Sequence, residues 1–253
     1  MKHLLVAILI AAPSFAVAQG LLAFRSDLAF EAKTVEAVAD HNYRTRLQTL
    51  AADGRLDANP ELLARLRGLV ARLQRAAQFE RPDAAAVVWE AHACRRCGEN
   101  ASAMAGGKLL VGEEFIAKLE LSDDELAYIL AHEMAHVLAE HTREFATTAR
   151  FFVGNGRNRD YWDIQNELDD SISVNLHMAP LYIQQELEAD YIGYILGARS
   201  GFDPEAMPRM LRKLQIEPAA DFTMHPSEGQ RLARALAMLE AARRIRDIGI
   251  LPQ

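Results

Sequence analysis

Apolar residues recur at helical spacing along most of the chain, and only a short middle stretch departs from that period. Residues 27–51 carry Leu28, Val35, Val38 and Leu47 among charged neighbours, which predicts a helix that Asp53-Gly54 breaks. Asn59 caps a second helix, with Pro60 at its first position and Leu62, Leu66, Val70 and Leu73 on one face. From Pro82 the period shortens. Residues 86–90 and 108–111 read as strands, the latter after Gly106-Gly107, and residues 100–104 as a third short strand between them. Ser122 and Glu125 then form a capping box that opens a helix apolar on both sides, with Leu130, Met134, Val137 and Leu138 opposite Ile129. Such a helix belongs at the centre of a domain. A further buried helix is expected between Pro180 and Gly201, and Ser227 with Gln230 caps a last one. Residues 145–180 form an insert with a turn at Gly154-Asn155-Gly156 and a short apolar face of Tyr161, Ile164, Leu168 and Ile172. The pattern predicts an α+β, mainly helical fold. Two central helices pack on a small β-sheet, flanked by N-terminal and C-terminal packing helices.

The first 18 residues stand outside that fold. Lys2 and His3 precede an apolar run from Leu4 to Ala12, and Ala16-Val17-Ala18 is a small-x-small site before Gln19. The run is too short to span a bilayer, so residues 1–18 are expected to be a cleaved secretory signal. No later stretch of 18 apolar residues exists, so no integral membrane segment is expected after signal removal, and the mature chain should be a soluble, periplasmic protein. The formal net charge of −7 argues against nucleic acid or anionic lipid as the main partner. Export also bears on the two cysteines, Cys94 and Cys97. An oxidising compartment favours a local disulfide; a redox-active pair, or half of a structural zinc site, are the other readings.

The chemistry sits in the central helix, as His132-Glu133-Met134-Ala135-His136. Residues four apart share a helical face, so both imidazoles can reach one zinc ion, and Glu133 lies beside the position of the zinc-bound water as general base. His141, five residues past His136, falls about 140° round a continuing helix and is expected to be structural. A catalytic zinc site needs a third protein ligand, and the next helix offers Glu186, Asp190 and Gly193 on one face. Glu186 would ligate, Asp190 would accept the outer N–H of a ligating histidine, and the bare Gly193 would let the two helices close up. Glu188 faces the other way and is expected in solvent. His225, in a loop before the last helix, is a candidate for three roles: oxyanion donor, reversible fourth zinc ligand, or plain loop histidine.

Residues 122–141, the Glu186–Asp190 helix, Gly201-Phe202-Asp203-Pro204 and His225-Pro226 together resemble the HtpX / CAAX prenyl protease 2 family of zinc metallopeptidases, in particular its soluble, exported bacterial members. The resemblance covers roughly residues 82–240, leaving 19–81 as an N-terminal helical extension ahead of a peptidase domain over 82–253. It implies a single zinc ion held by His132, His136 and Glu186, with Glu133, Asp190 and His225 in the catalytic machinery. The implied function is endopeptidase hydrolysis of unfolded or misfolded envelope polypeptides, in protein quality control. The alternative is a latched or non-catalytic, chaperone-like binder of unfolded chains. The 145–180 insert is expected either to cover the cleft as a lid or plug, or to pack at its edge.

Overall fold

The computed structural model describes residues 28–98, 100–215 and 227–249. The proposed signal segment, residues 1–18, and the loop with His225 lie outside them. Nine helices occur among the described residues: α1 (Ala32–Ala52), α2 (Pro60–Glu80), α3 (Glu113–Lys118), α4 (Asp123–Leu138), α5 (His141–Ala149), α6 (Tyr161–Asp170), α7 (Ile172–Arg199), α8 (Ala206–Leu214) and α9 (Glu228–Ile248). Between α2 and α3 lie β1 (Glu90–Cys94), β2 (Ala101–Met104) and β3 (Lys108–Gly112). The fold is mainly helical around a small mixed sheet, in the α+β class that the pattern predicts.

The sheet has the order β1-β3-β2, with β1 parallel and β2 antiparallel to the central β3. β2 is therefore an edge, and it is the strand that meets α4. The first strand starts later than the pattern predicts. Pro82–Ala86 forms a 3-10 turn, consistent with a proline whose fixed φ and missing N–H suit a turn better than a ladder. Pairing begins only where Glu90 N donates to Gly107 O, at 2.9 Å. At the far end of β1, Cys94 is buried and disulfide-bonded to Cys97, which joins two neighbouring turns of chain rather than distant elements.

α4 runs through the main core. Its capping box is formed as read, with Ser122 Oγ accepting from Glu125 N and Glu125 reaching back to Ser122 N. Leu126, Leu130, Met134 and Leu138 are all essentially inaccessible and join Leu66 and Leu73 of α2 in one cluster. Arg81 Nη1 donates to Leu138 O, tying α2 to an otherwise orphaned carbonyl at the end of α4.

Two expectations need correction around α7. Pro180 lies inside this helix, not ahead of it, because Ser171 caps the chain two turns earlier by accepting from Val174 N. The proline is tolerated there on an exposed side of the helix, where water can serve the carbonyl that its missing N–H leaves unpaired. Ile172 leaves the apolar face expected of the insert: it is 78 % exposed. Val174 and Met178 take its place with Tyr161, Ile164 and Leu168, and this second cluster closes on Val35 of α1.

α4 and α7 cross more closely than side chains would allow. A Cβ on Gly193 would stand 2.8 Å from His132 N and 3.0 Å from His132 Cα, and the Tyr128 ring fills the space over Gly197. Gly193→Ala should therefore push the helices apart and cost about 1–3 kcal/mol, the usual range for overpacking. Thermal unfolding with and without added zinc checks this: Tm should fall and its rise on adding zinc should shrink. An unchanged Tm and an unchanged zinc response would show that close approach at Gly193 is not required.

Candidate metal centre

His132, Glu133 and His136 are on α4, and Glu186 and Asp190 on α7. One face of each helix is turned to the other at the Gly193 crossing, and the two faces bring three ligand residues together. His132 Nε2 and His136 Nε2 are 3.1 Å apart, His132 Nε2 is 3.4 Å from Glu186 Oε2, and His136 Nε2 is 3.3 Å from Glu186 Oε1. A tetrahedral ion with bonds of about 2.0–2.1 Å needs its donors about 3.3 Å apart. The spacing fits.

The chemistry of the donors fits as well. His132 Nδ1 lies 3.0 Å from Asp190 Oδ1, so Nδ1 carries a proton and Nε2 is the atom turned to the other donors. His136 Nδ1 is 2.9 Å from His141 Nδ1, which commits that side of the second ring too. Two ring nitrogens and a buried carboxylate then converge on one point, a donor set suited to a divalent cation. The field can be read from His132. Burial alone would lower its pKa, yet hydrogen bonds to Asp190 and Glu186 outweigh burial and push it up to about 10. A site that holds a proton so firmly attracts a dication, and the two compete.

Glu133 adjoins this point without belonging to the donor set. Burial is the largest influence on its carboxyl and raises its pKa; the nearby histidines and a backbone hydrogen bond from Ala103 pull the other way. Ala103 belongs to β2, so Glu133 stands between the donor set and the free edge of the sheet. A carboxyl whose proton affinity is raised by burial is suited to taking a proton from water near neutral pH.

Around the donors the structure departs from two expectations. A continuing α4 would carry His141 away from the centre, but the helix stops at Leu138 and Glu140 adopts a left-handed conformation (φ 56°). His141 therefore starts α5 folded back against His136, buried, with its Nε2 3.5 Å from Glu188 Oε2. Glu188 is thus only partly exposed, turned to the back of the site rather than to open solvent. Gln185 Nε2 fixes the arrangement by donating to His141 O and to Glu144 Oε2. The other surprise is Arg231 of α9, which forms two hydrogen bonds with Asp190. His225 lies outside the described residues.

A donor set of two histidines and a glutamate, with a second glutamate beside it, is that of a metallopeptidase. The chain matches peptidase family M48 over residues 60–239, and it belongs to that family. The match begins at Pro60, so it takes in α2, ahead of the stretch over which the resemblance was read. Mitochondrial metalloendopeptidase OMA1 of Arabidopsis thaliana is 30 % identical over 169 residues, covering 64 % of this chain and 34 % of the relative. OMA1 of Schizosaccharomyces pombe is 30 % identical over 157 residues, 58 % of this chain and 45 % of the relative. The beta-barrel assembly-enhancing protease of Escherichia coli O157:H7 is 34 % identical over 161 residues, 54 % of this chain and 31 % of the relative. The chain thus spans less than half the length of each of these relatives. The resemblance to the HtpX / CAAX prenyl protease 2 group stands at the level of family M48.

If His141 sets the ring of His136, His141→Ala should weaken zinc binding by about 10–100-fold, the usual effect of losing an outer partner. Competition against a chelator measures this. Wild-type affinity in the variant would reduce His141 to a packing residue.

Proposed function

We propose that the protein is a zinc-dependent endopeptidase that cleaves extended segments of unfolded or misfolded polypeptides in the bacterial periplasm. The observation that carries this reading is the 3.1–3.4 Å triangle of His132 Nε2, His136 Nε2 and Glu186 carboxylate oxygens, with Glu133 beside it. Zinc held there would polarise the scissile carbonyl and acidify water. The chain's own residues supply the rest. Glu133 takes the proton of the attacking water and passes it to the leaving amine. The free edge of β2 pairs with the substrate backbone, which restricts cleavage to segments that can extend beside it. Asp190 keeps His132 in the tautomer that leaves Nε2 free.

Periplasmic export rests on the sequence of residues 1–18, and the Cys94–Cys97 disulfide suits that compartment. The likeness to a beta-barrel assembly-enhancing protease supports a role in envelope quality control. His225 is assigned here to the catalytic machinery, as a hydrogen-bond donor to the developing oxyanion or as a reversible block on the open metal position.

Glu133→Gln should keep zinc and fold and lose cleavage of casein, a flexible substrate, by at least about 100-fold. Cleavage at the wild-type rate would remove Glu133 from the mechanism. His225→Ala should lower the rate if His225 donates to the oxyanion and raise it if it blocks the metal; an unchanged rate would dismiss both roles.

A further inference from the structure

Arg231 lies near the start of α9, with its side chain turned inward against α7. Its guanidinium grips one carboxylate with two donors: Nε to Asp190 Oδ2 at 2.8 Å and Nη2 to Asp190 Oδ1 at 2.7 Å. The same Oδ1 accepts from His132 Nδ1 at 3.0 Å. Both charged side chains are 9 % exposed. A buried ion pair of this kind is a poor source of net stability, because desolvation offsets most of the attraction. It is a good source of geometry. A carboxylate held by an imidazole alone could turn about its Cβ–Cγ bond; a planar fork on both oxygens fixes its plane. The plane fixes where Oδ1 meets the His132 ring, and any rotation of that ring would carry Nε2 away from His136 and Glu186.

Other contacts also hold α9 in place. Ala235 and Ala242 are buried against the main core, with Met238 and Leu239 packed beside them. Arg199 Nη1 donates to Gly249 O at the far end, and Arg243 pairs with Glu205 near α8.

We infer that Arg231 is a positioning residue of the metal centre: its fork fixes Asp190, Asp190 fixes the ring of His132, and α9 thereby helps to retain the ion without touching it. The inference rests on the metal-site reading given above. It places part of the control of metal affinity on a helix that contributes no ligand, 45 residues beyond Glu186 in the chain.

The test uses the full chain and zinc alone, read by chelator competition and by thermal unfolding of the metal-free protein. Arg231→Lys keeps the charge and loses the fork. It should bind zinc about 10–100-fold more weakly while the metal-free Tm moves little. Asp190→Asn should show a similar loss, and Arg231→Lys should add little to it, because both act through one carboxylate. Two results would overturn the inference: wild-type zinc affinity in Arg231→Lys, whatever its metal-free Tm, or losses that multiply in the double variant. If Arg231→Lys does not fold, Arg231→Gln keeps a side-chain donor to Asp190 without the charge and is read in the same way: about 10–100-fold weaker zinc binding supports the relay, and wild-type affinity overturns it. A wild-type chain that binds no zinc would instead sink the metal-site reading itself.

Discussion

The site depends on how closely two helix backbones approach each other. α4 carries two imidazoles one turn apart, and α7 carries a carboxylate that must reach both of them. Ordinary side chains at a crossing hold helix axes about 8–10 Å apart. Gly193 removes that spacing opposite His132, and Gly197 does the same one turn on, opposite Tyr128. The Glu186 carboxylate then stands 3.3–3.4 Å from both ring nitrogens, and the donor triangle closes. Burial of the flanking apolar residues holds the crossing in place, and the capping box and the Arg81 bond to Leu138 O secure the two ends of α4.

Around that triangle the two histidines are supported by different chemistry. His132 is backed by a carboxylate neutralised by a guanidinium, a fully charged and fully paired arm. His136 is backed by a second imidazole with Glu188 behind it. The first arm reaches α9 and the second reaches α5 and the back of α7. α9 and α5, which contribute no ligand, thus brace the donor set from two sides and keep its rings from turning.

Much of this was legible in the residues, because helical spacing is a strong geometric code. The four-residue spacing of His132 and His136 placed both on one face, and Glu186, Asp190 and Gly193 shared a face by the same rule. What the sequence did not disclose were events at helix ends and contacts between distant segments. His141 stays out of the donor set, as helical spacing implies, but the helix stops at Leu138 and Glu140 turns the chain, so it packs on His136 where periodicity alone would point it away. Pro180 was read as a boundary, although a capping serine upstream and an exposed helical side make it tolerable inside α7. Arg231 went unassigned because its partner lies 41 residues away, and no local period reports such a contact.

The metal centre requires that His132, His136 and Glu186 hold one ion together. Zinc-edge X-ray absorption on the full chain, loaded with one equivalent of zinc, tests this directly. Two imidazole nitrogens and one carboxylate oxygen are expected at about 2.0–2.2 Å, with one further light atom in the open position. An imidazole shell should be lost in His136→Ala. A spectrum without imidazole scattering, or one unchanged by that substitution, would contradict this ligand set.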